Sequence, residues 1–170
     1  MIELPSYIYK VKRLKLHDDA ESGVWCQLPY LGHPGGCPNF NHSDRCPPKA
    51  PILLDYFHPG RPFYLVHSEF DLKAHAARMK EKHPGWTERQ CRCVLYWQSQ
   101  SRKQLADRVW VAALRMKQSR IPRYTTCPEG MGVNVFLTAR LAGLNLEKTR
   151  HLKICRHVAL VQFYDDNPPT

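Results

Sequence analysis

The sequence predicts an α/β fold: a single domain with a small mixed sheet, about three to four helices and one long cysteine- and proline-rich loop of metal-binding character. Three observations predict it. The chain has 170 residues, 43% of them apolar, enough for one domain with a real core and too apolar for disorder. Short β-rich runs alternate with segments of helical spacing from residue 62 onward. Between residues 23 and 60 neither period is kept, and Pro, Gly, Cys, His and Asn dominate.

Each element has its own signal. Ser6–Leu16, rich in Tyr, Ile and Val, predicts a first strand. The loop of 23–60 follows; a structureless stretch of that length is uncommon unless something organises it. Pro62–Val66 predicts a short buried strand. Ser68-Glu69-Phe70-Asp71 has the spacing of a capping box, with Leu72, Ala76 and Met79 at helical spacing behind it and His83-Pro84-Gly85 as the stop. His67 and His75 flank that cap as ordinary surface or capping residues. A second helix starts near Ser99 or Ser101, with Leu105, Val109, Ala112, Ala113 and Met116 as its apolar stripe. Val133–Ala142 predicts a third, closed by Gly143. Ile154–Tyr164 predicts a central strand, apolar on both faces, before a polar tail over 165–170.

Charge is uneven. The chain carries 25 Lys+Arg against 15 Asp+Glu, a formal net of +10. Nearly all of the excess lies in the second half. The basic helical region 86–123 includes Arg89, Arg92, Arg102, Arg108, Arg115, Arg120 and Arg123. Clustered Lys/Arg in a chain of pI about 9.4 is the electrostatic footprint of a nucleic-acid binder. RNA, DNA or an acidic protein fits it, and a solvated helix face is the plain alternative. No run approaches the ~20 apolar residues of a membrane span. The start of the chain has no basic-then-apolar leader pattern, which predicts a reducing, cytoplasmic setting.

The 7 cysteines are too sparse for a disulfide scaffold and odd in number. Cys26, Cys37 and Cys46 fall in the Pro/Gly loop, two of them in Cys-Pro turns. Gly35 and Gly36 would let the backbone pass close to a bulky inorganic centre, and Pro after Cys stiffens the turn that aims a thiolate. Iron–sulfur clusters are held by Cys thiolates, and a 4Fe–4S cluster is the favoured cofactor. Cys127, in a third Cys-Pro turn ahead of a helix, is the best fourth ligand. Zinc is the alternative, with His33 or His42 completing a Cys/His set, although close C-x₂₋₄-C pairs are missing. Cys91 and Cys93 are alternates, but Cys93–Trp97 has the composition of a core segment. Cys155, in the terminal strand, reads as a packed thiol. Gly130-Met131-Gly132 reads as a tight turn before a helix. No P-loop or G-x-S-x-G pattern occurs.

Gly36-Cys37-Pro38-Asn39-Phe40 followed by Cys46-Pro47-Pro48 resembles the "CPNY…CPP" segment of an uncharacterised family of small prokaryotic proteins described as predicted metal-binding proteins. Arg123–Phe136, with Ala142-Gly143-Leu144 beyond it, looks like that family's C-terminal signature. The resemblance implies metal or iron–sulfur binding and says little about a reaction. Three functions follow as expectations: an iron–sulfur protein acting in nucleic-acid or nucleotide modification, a zinc-stapled nucleic-acid-binding module, and an iron–sulfur electron-transfer partner.

Overall fold

The computed structural model describes residues 4–17, 22–29, 33–118, 120–146 and 152–164. Its centre is a four-stranded sheet of β1 (Ile8–Lys10), β2 (Tyr64–His67), β4 (Arg123–Thr125) and β6 (Val158–Gln162), in the order β1-β2-β6-β4. Every neighbouring pair is antiparallel, so the sheet is not the mixed one expected. Strand 62–66 and the terminal strand were expected independently; here they pair directly, with Leu65 opposite Leu160 and Val66 opposite Ala159.

Alternation along β2 and β6 sorts their side chains onto two layers. Tyr64, Val66, Ala159 and Val161 meet the apolar stripe Leu105, Val109, Ala112 and Ala113 of α5 (Gln98–Arg115). Leu65, Val158 and Leu160 meet Leu53 of α2 (Leu53–Tyr56) and Val135 and Ala139 of α6 (Val135–Ala142). Helices on both faces explain why β6 is buried along its whole length. Asn134 caps α6 by accepting from the Leu137 N–H at 3.0 Å, and Gly143 ends it at φ 92°.

A second, two-stranded antiparallel sheet joins β3 (Phe70–Asp71) to β5 (Ile154–Cys155). It corrects two expectations. The terminal strand does not run unbroken from Ile154 to Tyr164. It breaks at Arg156–His157, where the His157 N–H donates to the Ser68 hydroxyl at 3.0 Å instead of to a ladder carbonyl. Nor does Ser68 cap the helix that follows. Asp71 does, accepting from the Ala74 N–H at 2.8 Å, and α3 runs Leu72–Lys82.

Other boundaries moved for local reasons. The first strand keeps only three residues; beyond the Val11 N–H bond to Phe63 C=O the chain leaves the sheet, and Leu16 bridges Val133 instead. A one-turn helix, α4 (Glu88–Cys91), starts at a reciprocal capping box between Thr87 and Gln90, a T-x-x-Q signal present in the sequence. Val94, Leu95 and Tyr96 are not core: they form an exposed 3₁₀ turn, and only Trp97 turns inward, onto Phe70. One more single turn, α1 (Ser22–Trp25), precedes Cys26. The polar tail 165–170 lies outside the described residues. Among the described residues no helix is long and apolar enough to cross a membrane.

Candidate metal centre

The loop that follows α1 is built from turns. Gly36 N–H bonds His33 C=O, Phe40 N–H bonds Cys37 C=O, Cys46 N–H bonds Ser43 C=O and Ala50 N–H bonds Cys46 C=O, all at 2.9–3.1 Å. Asn41 N–H closes the loop on Pro47 C=O at 2.9 Å, ahead of a cis Pro47–Pro48 bond. Cys37 and Cys46 therefore each sit within a hydrogen-bonded turn.

Two glycines join these turns to the rest of the site. At Gly36 the backbone stands at φ 84° and lies so close to Cys26 that an added Cβ would sit 2.4 Å from the Cys26 carbonyl oxygen. The Cys37 N–H takes up that carbonyl at 2.6 Å. At Gly130 a Cβ would sit 2.2 Å from the Arg45 carbonyl oxygen and 3.4 Å from Cys127 Sγ. Glycine at these positions thus serves backbone-on-backbone approach between cysteine segments. Gly35, expected to do the same, has open space around it. Gly130 belongs to the 3₁₀ turn Pro128–Met131, which Gly132 closes at φ 84° and against which α1 packs. Arg45 adds a side-chain link, donating to Thr126 Oγ1 at 3.3 Å.

The expected cysteines are thereby linked pairwise: Cys37 and Cys46 act on Cys26, and Cys46 acts on Cys127. Burial pushes the Cys26 thiol up, and the neighbouring Cys37 and Cys46 add to the rise. Burial pushes Cys127 up to about 11; Glu129 and Cys46 add to that, while the Gly130 N–H opposes it. Mutual repulsion of thiolates is the expected signature of sulfurs crowded without a counter-charge. All seven cysteines are free. Among the described residues, however, no three His, Cys, Asp or Glu side chains stand as a ready-made site for a single metal ion.

The alternates sit elsewhere in the architecture. Cys91 is fully buried where α4 packs on α3. Cys93 begins the exposed 3₁₀ turn. Cys155 packs with Phe70, Leu72 and Trp97 as a core thiol. His33 and His42 are exposed on the loop.

The seven arginines do not act alike. Arg92 pairs with Glu88 at 3.1 Å and donates to Leu152 C=O; Arg108 donates to His67 C=O at 2.7 Å and lies over the Tyr7 ring. Arg120 lies over Tyr164, and Arg123 donates to Tyr56 C=O at 2.7 Å. These four brace the fold. Arg89, Arg102 and Arg115 are exposed, as are Arg120 and Arg123.

One polar cluster had no single motif to announce it. Ser68 and Ser101 share a hydrogen bond at 2.8 Å, and Ser101 meets His157 Nδ1 at 2.9 Å. His67 Nδ1 meets Ser68 C=O at 3.1 Å. His67 and His75 are buried, contrary to their expected surface place, and burial lowers the pKa of both and of His157. Its members come from three distant segments, so no local pattern in the sequence announced it.

Compared with known proteins, the chain matches no protein-family model, no curated protein and no solved structure.

Proposed function

We propose that this protein holds an iron–sulfur cluster through Cys26, Cys37, Cys46 and Cys127, and that its exposed arginines recruit a nucleic acid to the same side of the molecule. The observation that supports the reading is the pairwise approach of cysteine segments, Cys26 to Cys37 and Cys46 and Cys127 to Cys46, with close backbone contacts at Gly36 and Gly130 that leave no room for a Cβ. Thiols are the ligands such clusters take. No ready-made site for a metal ion stands among the described residues, so the preference for a cluster over zinc rests on the donors: thiols in Cys-Pro turns with no close C-x₂₋₄-C pair. Metal sites also commonly complete themselves on binding. Once bound, a cluster supplies a redox-active or Lewis-acidic centre; the chain's own contribution is to fix the thiols and shield them. The likeness of the two Cys-Pro segments to predicted metal-binding proteins supports the same reading.

The test is anaerobic purification followed by iron, zinc and acid-labile sulfide analysis. Iron and sulfide in near-equal amounts are expected, with visible absorption that bleaches on reduction. One zinc per chain and no iron would overturn the cluster in favour of a zinc-stapled module. Cys46→Ser should lose the metal, whereas Cys155→Ser should keep it.

A further inference from the structure

Between the turn that carries Cys46 and the segment leading into Cys127 lies a cavity of about 460 Å³, within the size range of small-molecule sites. Its walls come from four places. Asp44 and Arg45 belong to the turn that carries Cys46; Tyr124 and Thr126 belong to the segment that leads into Cys127; Arg102 stands on α5, and Tyr56 ends α2. The cavity is therefore the meeting point of the cysteine loop and the basic helix.

Its chemistry is specific. Two guanidinium groups line it, and neither has a carboxylate partner among the described residues. The described ion pairs use Arg92, Arg108 and Arg156 instead. The Arg102 charge is felt as far as His157, whose pKa it helps to lower after burial. Arg45 is held in place by Thr126 at 3.3 Å. Two tyrosines complete the wall, and they are braced to each other: the Tyr56 hydroxyl donates to Tyr124 C=O at 3.1 Å. Planar, forked cations are suited to phosphate oxygens, and aromatic side chains are suited to the faces of bases. The single carboxylate, Asp44, can accept from an exocyclic amine or a sugar hydroxyl.

We propose that this cavity binds a nucleoside phosphate, with Arg45 and Arg102 on the phosphate and Tyr56 and Tyr124 beside the base, close to the turns of Cys46 and Cys127. The inference rests on the metal-centre reading for its biological meaning, but its binding chemistry does not depend on it. The phosphate can belong to a free nucleotide or to one residue of a strand.

The experiment is equilibrium binding of the four ribonucleoside monophosphates, of a five-nucleotide single strand and of inorganic phosphate to the full chain. At least one monophosphate should bind, and Arg102→Gln and Arg45→Gln should each weaken it about tenfold, the scale of one charge-assisted contact. Lys103→Gln, one residue along α5 and not in the cavity wall, should change it less than about twofold. Both arginines are exposed, so thermal melts should confirm that the variants fold. A strand that binds more than about tenfold tighter than its monomer, with the same loss in Arg102→Gln, marks a polymer as the source; equal affinity marks a free nucleotide. No binding at millimolar monophosphate, binding indifferent to both arginines, or inorganic phosphate binding as tightly as any nucleotide would overturn the proposal. Iron and sulfide measured on the same samples report separately. Nucleotide binding by metal-free protein supports the cavity while removing the cluster, and a loaded cluster without nucleotide binding does the reverse.

Discussion

The sheet with its α5 layer and the cysteine loop are held together by opposite means. Leu65, Val66, Leu105, Ala159, Leu160 and Val161 are sealed from solvent and interdigitate across the layers. Between residues 33 and 50, Gly36 alone is buried, and no apolar side chain is. The loop is instead a set of backbone turns pressed against one another at two glycines. Apolar burial stabilises the first region by roughly 1.5–3 kcal/mol per large side chain. The second has no such term, and backbone bonds add little net stability where water competes. A ligand that joins the four thiols would provide what the loop lacks, which is how metal sites couple to folding. The difference teaches that core and loop should fail separately.

The largest effect should come from the core. Leu160→Ala ought to cost about 2–5 kcal/mol, read as a lowered denaturation midpoint. Metal content per folded chain should stay unchanged; a proportional loss of metal would mean that the two regions are one cooperative unit.

Gly130→Ala and Gly36→Ala attack the other side of the comparison. A Cβ at either position collides with a carbonyl oxygen of another cysteine segment. Both variants should keep native far-ultraviolet circular dichroism and lose most of the bound metal, with a stability cost of about 1–3 kcal/mol in the loaded protein. Gly35→Ala is the control, because its surroundings are open. Equal metal loss in all three would show that the close approaches do not matter.

Acid should strain the sheet side before the loop. Burial lowers the pKa of His67, His75 and His157 below the ordinary histidine value. The folded protein therefore binds fewer protons than the unfolded chain, and the stability these groups contribute is present above about pH 6.5 and lost as pH falls through their lowered folded values. Melting temperature should drop between pH 7 and pH 5, and His157→Gln should flatten part of that slope. A flat profile in the parent protein would contradict the buried, neutral imidazoles.

The smallest effect sharpens the boundary between regions. Asp71→Ala removes the α3 cap and should cost about 1 kcal/mol, with no change in metal content or nucleotide affinity. A thermal melt with matched metal analysis reads both.

Much of the architecture was legible along the chain. Periodicity located the α5 stripe, the α3 stripe and α6 with its Gly143 end, because those signals are local. The doubly apolar run Val158–Gln162 announced a central strand, since only a strand covered on both faces can dispense with alternation. The same local logic failed at Ser68. Its spacing to Asp71 mimics a capping box, but a hydroxyl near Ser101 and His157 gains more by satisfying those buried partners. It failed again at Val94–Tyr96, whose apolar composition says nothing about which way a three-residue turn faces. Four of the seven arginines likewise looked like one basic face, yet their partners are carbonyls, rings and, for Arg92 and Arg108, the carboxylates of Glu88 and Glu69.

The sequence by itself determined which cysteines stand in stiff Cys-Pro turns, and hence which thiols were candidates. Residue type and neighbours decide that, and both are written in the chain. Only the tertiary structure decided that Cys127 stands by Cys46, and that a cavity lined by Arg45 and Arg102 opens between the turn that carries Cys46 and the segment leading into Cys127. Those relations cross tens of residues. They depend on two backbone contacts, Gly36 on Cys26 and Gly130 on Arg45, whose partners no local pattern encodes.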